Sequence, residues 1–129
     1  MILDSSAILA ILAREADADG FSQSIEEAKS LRLSAANWLE VAIRVDSGGG
    51  EIARDALDEF VREAGVVVEP VTEHQAKLAR QAYRAYGKGR HPAGLNFGDC
   101  FAYALAKATG EPLLFKGNDF AKTDLKPAL

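Results

Sequence analysis

The chain is predicted to fold as an α/β protein, a four- to five-stranded parallel sheet flanked by helices on both faces. Three observations predict it. Short apolar runs alternate from end to end with longer segments of helical periodicity. The run Val66-Val67-Val68 is β-branched throughout, as a strand buried inside a parallel sheet is. The length, 129 residues, and the composition, 48% hydrophobic and 26% charged, suit one soluble domain with one core.

Taken in order, Ile2-Leu3-Asp4 reads as a very short first strand. Ser5 to Ala13 follows as an apolar helix whose free amides Asp4 or Ser5 can cap. A second amphipathic turn sets Phe21, Ile25 and Ala28 on one face. Leu31 to Ser34 is a short strand feeding a helix from Ala35 to about Asp46, which the run Gly48-Gly49-Gly50 ends. Ile52, Ala53, Ala56, Leu57, Phe60 and Val61 form the apolar stripe of the next helix, before the Val66 to Val68 strand. Thr72 with Gln75 reads as a capping box for a helix that turns Ala76, Ala79, Tyr83 and Tyr86 inward. Gly87 to Gly98 reads as a loop, Asp99 to Thr109 as the most apolar helix, closed by Gly110, and Pro112 to Phe115 as another buried strand. The turn Lys116-Gly117-Asn118-Asp119 follows, and the tail to Leu129 offers one short edge strand.

Composition removes several function classes. A single cysteine, Cys100, cannot form an internal disulfide and reads as core, which suits a reducing, cytoplasmic setting. The start Met-Ile-Leu-Asp lacks the basic stretch and cleavage site of a signal peptide. No apolar run approaches the roughly 20 residues of a membrane span, so no membrane partner is expected. A net charge of −4 argues against a protein that coats duplexes but leaves room for a local basic groove. No Gly-x-x-x-x-Gly-Lys-Ser/Thr element is present, which excludes a phosphate-loop ATPase.

The acids carry the chemistry. Ligands of open parallel sheets bind beyond the carboxyl ends of the strands, and both Asp4 and Asp119 fall at such ends. Between Ala35 and Val45 the only polar residues are Asn37, Glu40 and Arg44, a narrow strip on a helix expected to be otherwise buried all round and to face a cleft. Asp99, Tyr103 and Lys107 make a similar strip at spacing four. Each acid also has a plain structural reading. Asp4 can be an N-cap, Glu40 the partner of Arg44, Asp99 a carboxylate on a helix dipole, and Asp119 a turn residue. Taken together, at one edge of one sheet, the four favour a site.

This arrangement resembles the PIN-domain ribonucleases, specifically the VapC-type toxins of bacterial toxin–antitoxin pairs. The matching pieces are Met1 to Ala7, Trp38-Leu-Glu-Val41, Leu95 to Ala106 with its Asn-Phe-Gly-Asp-Cys core, Leu114 to Phe120, and Thr123-Asp-Leu125. They run along essentially the whole chain, implying a single PIN domain over 1–129. The family's acidic quartet falls on Asp4, Glu40, Asp99 and Asp119, with Asp4 and Asp99 at the positions that most directly hold magnesium. Ser6 and Asn96 match its small polar residues beside the carboxylates.

Four carboxylates in one cleft repel strongly, about 4 kcal/mol for a pair ~4 Å apart at an effective dielectric near 20. All-oxygen donors without paired His or Cys point to Mg²⁺ or Mn²⁺ as the occupant. Asp4, Asp99 and Asp119 are then the expected ligands, with Glu40 binding a second ion or orienting the attacking water. Lys88, Arg90, His91 and Lys116 are the candidates for holding flanking RNA phosphates. The resemblance implies a metal-dependent endoribonuclease acting on structured RNA such as tRNA or rRNA. It also implies a VapB-type antitoxin whose tail crosses the acidic cleft, a homodimer formed through the helices after Ala35 and Gly50, and a toxin–antitoxin hetero-oligomer. The alternatives are a receiver-like phosphoacceptor module, or a catalytically silent RNA- or protein-binding module on the same fold.

Overall fold

The first strand is two residues long, yet it lies inside the sheet. In the computed structural model, which describes residues 1–48 and 50–129, β1 (Ile2–Leu3) pairs on one side with β2 (Leu31–Ser34) and on the other with β4 (Leu113–Leu114). Strand β3 (Val66–Glu69) lies outside β2, giving the order β3-β2-β1-β4 with every pairing parallel. Parallel neighbours require crossovers, and six helices supply them. These are α1 (Ser5–Leu12), α2 (Ala18–Glu27), α3 (Ala35–Gly48), α4 (Gly50–Glu63), α5 (Glu73–Tyr86) and α6 (Phe97–Thr109).

Alternation along β1 and β4 divides the core in two. Ile2 and Leu113 face one layer, packed with Ala82, Leu95 and Leu105 from the α5–α6 side. Leu3 and Leu114 face the other, with Ile8, Phe21 and Val41 from α1, α2 and α3. Each such Leu, Ile, Val or Phe side chain, fully removed from water, contributes about 1.5–3 kcal/mol. Gly110 closes α6 at φ 72, a left-handed cap that needs no Cβ. Among the described residues no helix is long and apolar enough to cross a membrane.

Several expectations need correction. The Val66 to Val68 strand is an edge strand, so Val66 is buried but Val67 and Val68 are 53% and 39% exposed. The tail adds a single parallel bridge, Leu113 to Pro127, in place of a fifth strand. On α5 the buried face is Gln75, Ala79 and Ala82, and Ala76 and Tyr83 turn outward. Ile52 of α4 is likewise exposed. Helix α6 begins at Phe97, two residues before the expected start, because Asn96 and Asp99 cap each other's backbone. Helix α3 extends through Gly48; the remainder of the expected glycine break falls on Gly49, outside the described residues. Nor is α3 covered all round: Leu39 and Ile43 are exposed and, with Phe97, line an open apolar groove.

Candidate active site

All four strands run the same way, so their carboxyl ends share one edge, and the acid-bearing segments begin there. Asp4 directly follows β1, and β2 passes straight into α3, which carries Glu40. Asp99 sits in the first turn of α6, and Asp119 lies in the turn beyond β4. Asp4, Glu40 and Asp99 line one cleft of about 200 Å³, together with Ser6, Arg44 and Asn96. Asp119 is exposed and outside that lining, but its charge reaches Asp99.

The structural and chemical readings of these acids are compatible. Asp4 is an N-cap: its Oδ2 accepts from Ser6 N at 3.0 Å and from the Ser6 hydroxyl. That hydroxyl accepts in turn from Lys116 N at 3.0 Å, joining the end of β1 to the loop after β4. Burial raises the Asp4 pKa to about 6; the Ser6 bonds oppose this, while Asp99 and Glu40 add to it. Asp99 completes the capping box, its Oδ2 accepting from Asn96 N at 2.9 Å while Asn96 Oδ1 accepts from Asp99 N at 2.9 Å. Its pKa is also raised, first by burial and then, against the Asn96 bond, by Glu40 and Asp119.

Glu40 does not turn to Arg44. Its Oε1 accepts from the Ser5 hydroxyl in a very close contact and from Asn37 Nδ2 at 3.4 Å. The space it occupies exists because residue 98 is glycine: a Cβ there would stand 2.8 Å from Glu40 Cδ and 2.9 Å from Oε1. Ser5, Asn37 and Gly98 are therefore site residues that the sequence reading passed over. Gly98 was visible inside Asn-Phe-Gly-Asp, and Asn37 in the polar strip of α3, but nothing in either pattern says which side chain needs the room.

The second strip divides. Asp99 faces the cleft, but Tyr103 donates its hydroxyl to Asp124 Oδ1 at 2.7 Å, and Lys107 Nζ reaches Asp124 Oδ2 at 2.6 Å. The strip drifts about 40° per step around the helix, and Asp124 beyond β4 takes up its second and third members. Among the expected RNA contacts, Lys116 pairs with Glu15 and with Asp17. His91 is folded into its loop, its Nδ1 accepting from Ala93 N at 3.0 Å and its ring set edge-on to Tyr86. Arg90 lies 5.1 Å over the Tyr83 ring, and Lys88 is exposed beside it. Of the apolar residues on the first helix, Ile8 is core, while Leu9, Ile11 and Leu12 are half-buried against it. Cys100 is buried, as expected.

The sequence matches the PIN domain family over residues 1–126. It is 55% identical over 130 residues to Ribonuclease VapC28 of Mycobacterium tuberculosis, covering 100% of this chain and 98% of that protein. The chain belongs to the VapC ribonucleases of the PIN-domain family. Solved structures share the fold. VapC20 of Mycobacterium tuberculosis, described as a sarcin–ricin loop cleaving toxin, superposes with a TM-score of 0.76 at 18% identity over 96% of this chain and 95% of that one. A toxin–antitoxin complex from Klebsiella pneumoniae gives 0.71 at 14% identity over 95% and 92%.

In this VapC-family chain the donor chemistry fits a hard divalent ion. The protein's hydrogen bonds engage one oxygen of each cleft acid: Asp4 Oδ2, Glu40 Oε1 and Asp99 Oδ2. Among the described residues the second oxygen of each has no protein donor, and two of these acids are held above the ordinary carboxylate range by burial and mutual repulsion. Among the described residues no group of three or more His, Cys, Asp or Glu side chains is placed so as to hold a metal ion, so the side chains as they stand form no ready-made ion cage. Mg²⁺ does not require such a cage, since it keeps several waters and uses one or two carboxylates.

Proposed function

We propose that this chain is a metal-dependent endoribonuclease, the toxin of a VapBC-type toxin–antitoxin pair, acting in the cytoplasm. The observation that carries the proposal is the cleft shared by Asp4, Glu40 and Asp99, which three separate segments bring together with two of the acids destabilised as anions. Asp4 and Asp99 would hold Mg²⁺ or Mn²⁺, with Asp119 the further candidate ligand outside the cleft lining. Such an ion, when bound, would supply positive charge against the phosphodiester and lower the pKa of a water molecule. Glu40, steadied by Ser5 and Asn37, orients the attacking water and accepts its proton. Ser6 and Asn96 keep Asp4 and Asp99 in place. Lys88 and Arg90 hold phosphates flanking the cut in structured RNA, tRNA or rRNA, whose unpaired loops expose bases to be read.

The ribonuclease names of full-length relatives support RNA as the substrate. A VapB-type antitoxin would silence the site by laying an Arg or Lys across carboxylates that lack a cation. The open face of Leu39, Ile43 and Phe97 supports a homodimer formed through α3. PIN-family membership sets aside the receiver-like reading. A silent RNA- or protein-binding module is separated by one experiment: RNA incubated with purified protein, with Mg²⁺ or Mn²⁺ and with EDTA. Wild-type protein is expected to cut only with metal, and Asp4→Ala to leave background cleavage. Cutting in EDTA, or by Asp4→Ala, refutes the proposal; sequencing RNA ends after brief expression of wild type and Asp99→Asn identifies the sites.

A further inference from the structure

We propose that Asn37 is a positioning residue that sets the Glu40 carboxylate, with Gly98 providing the room. The inference rests on the ribonuclease reading above. Asn37 has no solvent exposure. Its Nδ2 donates to Gly98 O at 3.0 Å and to Glu40 Oε1 at 3.4 Å, and its backbone carbonyl accepts from the Ser5 hydroxyl at 3.4 Å. It therefore touches the start of α1, its own helix α3 and the start of α6, the segments that carry or adjoin Asp4, Glu40 and Asp99.

Two features separate this from ordinary packing. Among the described residues, Asn37 Oδ1 is the one buried side-chain polar atom without a hydrogen-bond partner. A buried acceptor left unpaired is destabilising, so an apolar residue of similar size would serve a purely structural role better. The second feature is what the amide holds. Glu40 has a long, flexible side chain on an exposed residue, and such a side chain loses rotamer freedom only where something fixes it. Here the Ser5 hydroxyl and Asn37 Nδ2 hold one oxygen while the bare Cα of Gly98 admits the carboxylate. Because Gly98 adjoins Asp99, the Asn37 bond to its carbonyl also sets the spacing between the acid on α3 and the acid on α6. One buried amide thus tunes the separation of two carboxylates on different helices.

The test compares Asn37→Leu with Gly98→Ala by melting temperature and by RNA-cleavage kinetics. Asn37→Leu removes the orphan oxygen but also the Nδ2 bond to Gly98 O, two opposing effects of similar size, so it is expected to melt close to wild type. Its kcat should fall about ten- to hundredfold, the usual cost of losing a supporting hydrogen bond at such a site, with KM for RNA unchanged. In a Glu40→Gln background the same change should cost nothing further. Gly98→Ala, which favours the helix, should show the same kcat loss because its Cβ meets Glu40. Wild-type kcat in either variant overturns the inference. So does a fall in melting temperature that accompanies lost activity in Asn37→Leu, or an additive loss over Glu40→Gln. Wild-type protein that cuts no RNA overturns the ribonuclease reading, whereas active wild type with unaltered variants overturns only this inference.

Discussion

Asp124 and Asp4 are both carboxylates anchored by hydrogen bonds, Asp4 to Ser6 nearby and Asp124 to α6 across the fold, but only one of them has its charge met. Asp124 receives the Tyr103 hydroxyl and the Lys107 ammonium, and its pKa is lowered: burial pushes it up, but the bonds from Lys107 and Tyr103 outweigh burial. Tyr103, by its own burial and then by the same contact, is pushed far upward. Asp4 is more deeply buried, has hydroxyl and amide donors but no ion-pair partner among the described residues, though Arg44 lines the same cleft, and burial first, then two further acids, raise its pKa to about 6. Asp99, one helical turn before Tyr103, shares that upward shift. A carboxylate that serves folding is neutralised where it sits. Negative charge left unmatched in a cleft costs stability, and that cost is the physical basis of the proposed cation site.

That contrast breaks first at Asp4. Asparagine caps helices as well as aspartate does, so Asp4→Asn keeps the cap and removes only the charge. In metal-free protein at pH 7 it is expected to gain stability on the order of 3 kcal/mol, the equivalent of the Asp4 shift, measured by chemical denaturation. The gain should depend on pH in a defined direction. Native Asp4 keeps its proton up to about pH 6, whereas the unfolded carboxyl releases it near 3.8. Between those values the native state binds more protons, so wild-type stability falls as pH rises. The gap between wild type and Asp4→Asn should therefore open across that window and stay constant above it. A gap independent of pH would show that burial does not strain Asp4. The smallest effect has the opposite sign. Asp124→Asn should lose up to about 1 kcal/mol, since Lys107 and Asp124 are partly exposed, at 40% and 45%. Its stabilisation, present above the unfolded carboxylate pKa, disappears as pH falls through the lowered native value.

The sequence carried the layers and the acids more clearly than the faces. Strand–helix alternation, the caps at Asp4 and Thr72 and the stop at Gly110 are local chemistry, and each is found where local chemistry puts it. Exposure is not local. Val67 and Val68 look like core in any window, and only the strand order leaves them at an edge. Leu39 and Ile43 likewise read as buried because periodicity cannot tell an apolar face that packs inside the chain from one left open. The acid cleft was legible because strand ends and helix starts converge in a parallel sheet. Its supports were not: the Asn37 bonds to Gly98 and Glu40, and the missing Cβ of Gly98, join residues 61 positions apart for the first bond. Lys116 shows the converse, a cation that reads as substrate-facing and is engaged by Glu15 and Asp17.

The most direct test of the central claim is calorimetric titration of Mg²⁺ or Mn²⁺ into metal-free protein just below pH 6. Wild type and Asp124→Asn should bind alike and release protons as Asp4 ionises, while Asp4→Asn and Asp99→Asn should show no comparable binding. Equal binding by all four proteins, or none by wild type, would contradict the assignment of that cleft to a hard divalent ion.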